Sequence, residues 1–225
     1  MPTESNAASL VHLEVWSDIA CPWCYIGGNR LTQALAELPA GDRDRVQVRW
    51  RSYELSPDRA VGGGERELDA LMTAKGMTAE QVEGMFGHVA STAQADGLAI
   101  DFGTTVAANT FDAHRLVHLA GADTERGAAV LDALFTAHFV EGVAVDDRQA
   151  LVKIAAAVGF DADEVAQALA DDTASDAVRA DEQIAAELGV TGVPFFVANR
   201  KYAVSGAQPV EVLTQLLRTA LDNAS

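Results

Sequence analysis

The chain has 225 residues, of which 49% are hydrophobic, so it can form one large domain or two small ones around a sizeable core. Its 33 acidic and 16 basic side chains give a formal net charge of −17, which repels nucleic-acid backbones and anionic membrane surfaces. We therefore expect neither nucleic acid nor a membrane among its partners.

The first ten residues contain an acid and have neither the positive n-region nor the apolar h-region of a secretory signal. No apolar run approaches the roughly 18 residues that a membrane span requires. These features predict a cytoplasmic protein, unless the sequence is a mature form whose leader has been removed. In a reducing compartment, two cysteines that stand two residues apart indicate redox or metal chemistry rather than a structural disulfide.

The first fifty residues predict a strand, a helix and a second strand. Residues 11–16 alternate apolar and polar side chains, as in a strand, and Ser17-Asp18 ends the pattern. A helix is predicted from Pro22 to about Leu38, since proline is tolerated at the first helical position. Residues 46–53 alternate again. Such a unit builds a parallel pair of strands.

A helical block is predicted after Ser56, where Pro57 and the glycines at 62–64 mark a flexible passage. Apolar residues then recur at helical spacing as far as about Leu188. The predicted helices comprise residues 65–75, 79–96, 109–120, 125–139, 148–158, 162–170 and 175–188. The last of these helices can return to the sheet.

The C-terminal part predicts a hairpin and a helix. Residues 194–198 and 202–205 are short strand patterns, joined tightly by residues 199–201, and residues 209–221 form an amphipathic helix. We therefore predict an α/β chain with a discontinuous sheet domain, residues 1–56 and 175–225, and an inserted all-helical domain, residues 57–174.

Cys21 and Cys24 are the strongest chemical signal. If Pro22 is the first helical residue, Cys21 occupies the N-cap, where free backbone N–H groups and the helix dipole stabilise a thiolate. This placement makes Cys21 the attacking nucleophile. Cys24 lies one turn along the same face, is more buried, and acts as the resolving thiol. A disulfide is then exchanged through a mixed disulfide on Cys21.

Zinc is the competing interpretation of the two cysteines. A structural zinc site usually has four Cys or His ligands, and two cysteines cannot fill it. The histidines do not make a spaced pair of the zinc-finger type; they are His12, His88, His114, His118 and His138. We therefore predict no metal.

Pro194 is a second candidate, because it directly precedes a predicted strand. By default it is an ordinary trans proline at the start of an edge strand, since only about 5–6% of X-Pro bonds are cis in folded proteins.

Four separated motifs resemble the DsbA-like thioredoxin-fold oxidoreductases, and within them the FrnE-type subgroup. They are residues 18–27 around Cys-Pro-Trp-Cys, residues 109–115 (Asn-Thr-Phe-Asp-Ala-His-Arg), residues 192–196 (Gly-Val-Pro-Phe-Phe) and residues 202–208 (Tyr-Ala-Val-Ser-Gly-Ala-Gln). The motifs occur in the right order and extend from near the first strand to the last helix. The resemblance implies a thioredoxin fold interrupted by a helical domain.

The resemblance also assigns functions to individual residues. It implies that Cys21 is the nucleophile, that Cys24 resolves, and that Pro194 is a cis proline facing both. Val193 would offer its backbone to an extended substrate as an added strand. The implied substrates are protein clients with thiols or disulfides, or small thiols. No cofactor is tightly bound, and glutathione is a possible reductant or co-substrate. Family members often carry Pro-His between the cysteines, so Pro-Trp implies a weaker oxidant.

The remaining candidates each have a structural alternative. Asp18 either accepts the Cys24 proton or is a turn residue at the strand end. Pro22 and Trp23 are expected to contact substrate, with the Trp23 ring facing solvent. Asn109 and His114 match the subgroup; helix capping for Asn109 and simple burial for His114 are favoured over a place in the substrate cleft.

The sequence is also compatible with two other functions. Glutathione-dependent isomerases of the hydroxychromene-carboxylate type share this fold but carry serine where Cys21 stands. A client-holding chaperone module would use the cleft without electron transfer. The client, the direction of electron flow and the choice between monomer and homodimer are not determined by the sequence.

Overall fold

A computed structural model describes residues 9–224. The prediction of no secretory signal concerns the first ten residues, most of which lie outside this range. The fold is mixed α/β. Four strands, β1 (Val11–Ser17), β2 (Val46–Ser52), β3 (Phe195–Ala198) and β4 (Tyr202–Ser205), form one sheet in the order β2-β1-β3-β4. β1 and β2 are parallel as predicted, and β3 and β4 are antiparallel neighbours.

Helices cover the sheet and extend from one of its ends. They are α1 (Pro22–Ala36), α2 (Ala40–Arg43), α3 (Glu67–Lys75), α4 (Ala79–Ala95), α5 (Phe111–Ala120), α6 (Glu125–Phe139), α7 (Arg148–Ala157), α8 (Ala162–Ala170), α9 (Ser175–Glu187) and α10 (Val210–Asp222). One sheet face, which includes Leu13, Val15 and Phe196, packs against α1 and α10 in a continuous core. The predicted α/β thioredoxin fold with a helical insertion is confirmed.

Several element ends differ from the sequence prediction by one or two residues. α1 stops at Ala36 rather than Leu38, because Leu38 precedes Pro39 and a residue before proline disfavours the helical conformation. β3 begins after Pro194, which has no N–H to donate. α5 begins at Phe111 rather than Asn109, whose side chain binds the Phe111 N–H. β2 ends one residue early, at Ser52. The four-residue helix α2 was not predicted, since one turn is too short to show a period.

The hairpin between β3 and β4 is a tight turn of the predicted kind. Asn199 and Arg200 have φ values of 51° and 53°, and the Lys201 N–H donates to the Ala198 carbonyl over 3.0 Å. Two successive left-handed residues are typical of the type I′ turn, whose twist matches that of the strands.

α9 returns from the helical block to the second face of the sheet. The Trp16 indole N–H donates to the Asp181 carbonyl on α9 over 3.0 Å, and Trp16 packs with Ala185 and Val197. Arg51 on β2 binds both Asp181 and Glu14. The core of the helical block reaches Ile19 and both cysteines, and the domain limits at residues 57 and 174 stay a prediction. No helix within residues 9–224 is long and apolar enough to cross a membrane.

Candidate active site

Cys21 occupies the N-cap of α1 and Pro22 is its first helical residue, as the sequence predicts. Its backbone is extended, with φ −95° and ψ 109°, and no side chain caps the helix. The Cys21 side chain is only 5% exposed. Its thiol donates to the Val193 carbonyl, with the sulfur 3.6 Å from the oxygen. Cys21 therefore lies between a helix N-terminus and the chain that leads into β3.

Cys24 is fully buried one turn further along α1, and both cysteines are free thiols. Burial raises the pKa of the Cys24 thiol well above its ordinary value, and the neighbouring Cys21 raises it further. The Asp18 backbone N–H, 3.4 Å from the Cys24 sulfur, and the Ser17 hydroxyl act in the opposite direction. The two thiols therefore differ in environment: Cys24 stays protonated at neutral pH unless a nearby group takes its proton.

The Val193–Pro194 peptide bond is cis, which confirms the resemblance on this point. Pro194 is buried, and Gly27 on α1 lies against it. A Cβ atom at Gly27 would lie 2.8 Å from the Pro194 Cγ, whereas one at Gly28 would meet only the Trp50 ring, at 3.4 Å. Gly27 thus allows the close approach of α1 to the segment that contacts Cys21.

We expect Gly27→Ala to impair the site although alanine favours helices. The added methyl group must displace Pro194, and overpacking of this kind costs about 1–3 kcal/mol against a helix gain of about 0.5–1 kcal/mol. Urea unfolding should show a net loss of stability, and disulfide exchange should slow. Gly28→Ala is the matched control: it should keep disulfide exchange near wild type and gain about 0.5–1 kcal/mol of stability from the helix. Equal behaviour of the two variants would refute the packing argument.

Asp18 is buried beside the cysteines, with hydrogen-bond donors at both carboxylate oxygens. Burial alone would raise its pKa, but the His114 ring, the Leu55 N–H and the Thr110 hydroxyl outweigh burial and lower it. The Leu55 N–H is 2.7 Å from Oδ2, and the Ala20 N–H is 3.3 Å from Oδ1. The contact with the Ala20 N–H is the one expected of a turn residue at the end of β1. Acceptance of the Cys24 proton by Asp18 stays a prediction.

His114 and Asn109 lie below the surface rather than in an open cleft. His114 is 3% exposed, and its Nε2 atom is 3.4 Å from Asp18 Oδ1, in an orientation outside hydrogen-bond geometry. The Asn109 amide donates to the Arg59 carbonyl over 3.0 Å, and its oxygen accepts the Phe111 N–H over 3.0 Å. Asn109 therefore caps the start of α5 and holds the loop after β2, which leaves no free group for direct contact with a substrate.

Trp23 differs from the prediction of a solvent-facing ring. The side chain is half-buried and packs against His88 on α4, with the ring centroids 5.8 Å apart. The cause is the position of α4, which lies across α1 and could not be located from the sequence. Pro22, the first residue of α1, is partly exposed next to Cys21. Substrate contact by Pro22 and Trp23 stays a prediction.

Sequence reasoning missed two polar residues near the site, Ser17 and His138. The sequence pattern identifies Ser17 only as the end of β1, although its place next to Asp18 indicates that it lies near the cysteines. His138 gave no signal, because it is one of many residues on an amphipathic helix. Within the described part of the chain, no three or more His, Cys, Asp or Glu side chains form a group that could hold a metal ion.

The buried position of His138 predicts that the free energy of unfolding falls in acid. Burial lowers the pKa of this histidine to about 4, while the Asp18 and Asp146 carboxylates and the Val143 backbone act in the opposite direction. An unfolded histidine titrates near 6.5, so the buried neutral His138 contributes fully to the free energy of unfolding above that pH. This contribution, about 3 kcal/mol in total, is lost as the pH falls toward 4.

Urea unfolding at pH 7 and pH 5 tests this dependence. His138→Gln should reduce the loss of unfolding free energy between the two pH values by about 2 kcal/mol. His12→Gln, on an exposed part of the sheet, is the control and should keep the wild-type loss. An unchanged loss in His138→Gln would contradict the assignment to His138.

Comparisons with known proteins agree with this geometry. A family model described as a DSBA-like thioredoxin domain matches residues 12–218. A probable DsbA oxidoreductase from Streptomyces coelicolor is 45% identical, with a TM-score of 0.87 over 96% of this chain and 92% of that protein. The comparison with curated proteins finds no match.

Two more distant structures share the fold. The cytosolic disulfide reductase DsbM from Pseudomonas aeruginosa, solved with GSH, is 22% identical, with a TM-score of 0.65 over 94% of this chain and 99% of that protein. A 2-hydroxychromene-2-carboxylate isomerase is 17% identical, with a TM-score of 0.67 over 95% of this chain and 100% of that protein.

Proposed function

The chain belongs to the DSBA-like thioredoxin domain family, and we propose that it is a thiol-disulfide oxidoreductase that works through Cys21 and Cys24. In reduction, Cys21 attacks a client disulfide and Cys24 resolves the mixed disulfide. In oxidation, a client thiolate attacks Cys21 of the Cys21–Cys24 disulfide, Cys24 leaves, and a second client thiolate then releases Cys21. Pro194 and Val193 position the client backbone against Cys21. The clients are proteins with thiols or disulfides, or small thiols.

The difference between the two thiols carries this proposal. Cys21 is at a helix N-terminus beside free backbone N–H groups, and its sulfur meets the Val193 carbonyl at 3.6 Å. Cys24 is fully buried, and its raised pKa keeps it in reserve as a thiol until Cys21 has reacted. A nucleophile and a resolving partner require this difference, and a structural pair of thiols does not.

Equilibration of the protein in glutathione redox buffers, followed by tryptophan fluorescence and mass spectrometry, tests the function. We expect a reversible two-electron change at Cys21–Cys24 and reduction of insulin disulfides by the reduced protein. The Pro-Trp dipeptide predicts a potential more reducing than the roughly −120 mV of a strong disulfide donor. Failure to exchange disulfides at every glutathione ratio would overturn the proposal and favour a client-holding module.

Glutathione is the proposed reductant, and the cytoplasm is the proposed compartment. Support comes from the fold shared with DsbM, a cytosolic disulfide reductase solved with GSH, and from the two closely spaced cysteines, which in a reducing compartment indicate redox chemistry. The protein should therefore be reduced by glutathione at millimolar concentration without a second enzyme. No cofactor is proposed beyond this thiol.

The isomerase alternative rests on the fold shared with a 2-hydroxychromene-2-carboxylate isomerase. That chemistry uses a serine hydroxyl at the position of Cys21, so a Cys21→Ser variant separates the two functions. Isomerase activity in this variant would favour the alternative. Loss of disulfide exchange without any isomerisation would favour the oxidoreductase.

A further inference from the structure

A small cavity of about 10 Å³ lies between β1, β2, α5 and α6. Its polar lining includes Ser17, Ser52 and His114. Within residues 9–224, the Ser17 hydroxyl and the His114 Nε2 atom are buried without a hydrogen-bond partner. A cavity of this size admits one water molecule, and a buried water needs two to four polar partners. The cavity therefore has the volume and the polar groups for one bound water.

Ser17 connects this cavity to the chemistry of Cys24. The Ser17 hydroxyl lies near enough to lower the pKa of the Cys24 thiol, although the two groups are outside hydrogen-bond geometry. Cys24 has no solvent exposure, so bulk water cannot take its proton directly. Cys24 must nevertheless lose that proton when it attacks a mixed disulfide on Cys21. The Ser17 hydroxyl and the cavity beyond it are the polar route away from the sulfur.

His114 suits the end of this route better than Asp18 does. The carboxylate of Asp18 already accepts the Leu55 and Ala20 N–H groups, and its lowered pKa makes it a weak base. An imidazole exchanges protons readily near neutral pH. The Asp18 carboxylate, 3.4 Å from the His114 ring, would stabilise the imidazolium that forms. The charged and titratable groups around this cavity are Asp18, 3.4 Å from the His114 ring, Arg51 in the cavity lining, and His118 and Asp181, which both bind Ser52.

We propose that His114 accepts the Cys24 proton through Ser17 and one water in this cavity, while the Asp18 carboxylate stabilises the imidazolium. In the resolving step the Cys24 S–H bond breaks and its proton passes to His114. The Cys24–Cys21 disulfide forms, and the client sulfur leaves Cys21 with the electron pair of the broken mixed disulfide. His114 then returns the proton to solvent or to the departing thiolate. This inference rests on the proposed function.

The test separates the attack by Cys21 from the resolution by Cys24. The reduced protein is mixed with 5,5′-dithiobis(2-nitrobenzoate): Cys21 releases one thionitrobenzoate, and Cys24 then releases the second from the mixed disulfide. We expect His114→Gln to slow the second release about 100-fold at pH 7, the size of a lost general base. The deficit should shrink as the pH rises, because hydroxide then takes the proton. Ser17→Ala should show the same pH profile with a smaller loss.

His138→Gln is the matched control, since it removes another buried imidazole that does not line the cavity. In His138→Gln the second release should keep its wild-type pH profile. In every variant the rate of the first release should change less than about threefold, because only the base of the second step is altered. A wild-type second release in His114→Gln, or equal losses in both releases, would overturn the inference. Failure of wild-type protein to release the second thionitrobenzoate would instead overturn the proposed function.

Discussion

Replacement of Cys21 with alanine is expected to abolish disulfide exchange, with a loss of at least about 1,000-fold, because the covalent nucleophile is removed. The remaining thiol cannot substitute for it. Cys24 is fully buried, and burial keeps its pKa well above the ordinary value. Insulin reduction and the first thionitrobenzoate release both measure the loss.

Cys24→Ala should behave differently from Cys21→Ala. Cys21 keeps its N-cap position and its contact with the Val193 carbonyl, so its first attack should continue. The mixed disulfide then has no internal thiol to resolve it and should accumulate, visible by mass spectrometry as a glutathione adduct on Cys21. A stable adduct on Cys24 in the Cys21→Ala variant, formed at the wild-type rate, would reverse the assignment of the two thiols.

The sequence predicted those parts of the site that are local in the chain. The N-cap position of Cys21 follows from the strand end at Ser17 and from Pro22, within a few residues. The parallel strand pair follows from two alternating segments and the helix between them. The cis state of Pro194 did not follow from local chemistry, because most X-Pro bonds are trans, and only the family resemblance predicted it.

The remaining parts of the site depend on contacts between distant residues. His114 reaches Asp18 across about a hundred positions, and the cavity joins Ser17 to α5 and α6. The Trp23 ring is covered by His88 on α4. Periodicity shows which face of a helix is buried, but it does not show which strand or loop that face meets. The proton route therefore depends on how α5 and α6 pack against β1 and β2, which local sequence patterns do not show.

Arg115 illustrates the same limit in a residue that stabilises this arrangement. It follows His114 on α5 and is fully buried, which is unusual for an arginine. Its guanidinium donates to the Ala168 and Leu169 carbonyls at the end of α8 and to the Thr173 carbonyl, at 2.9 to 3.2 Å. It also pairs with Asp112. Arg115 thereby satisfies the last carbonyls of α8 and ties α5 to the segment that leads into α9.

We expect Arg115→Met to destabilise the fold by about 3–5 kcal/mol, as when one partner of a buried ion pair is removed. Methionine fills most of the volume, but the Leu169 and Thr173 carbonyls lose the guanidinium donor and the Ala168 carbonyl keeps only the Thr173 N–H. The Asp112 carboxylate keeps only Arg148. Urea unfolding measures the loss. Disulfide exchange should also weaken, because α5 carries His114 next to Arg115.

The control for Arg115 is an arginine with a similar local partner but no burial. Arg66 pairs with Asp69 three residues along α3, and its side chain is 65% exposed. Because water solvates and screens such a pair, Arg66→Met should leave the unfolding free energy near its wild-type value. The two variants remove the same charge, so the difference between them isolates the buried carbonyl contacts. If Arg115→Met were no more destabilising than Arg66→Met, α5 would be held by apolar packing alone.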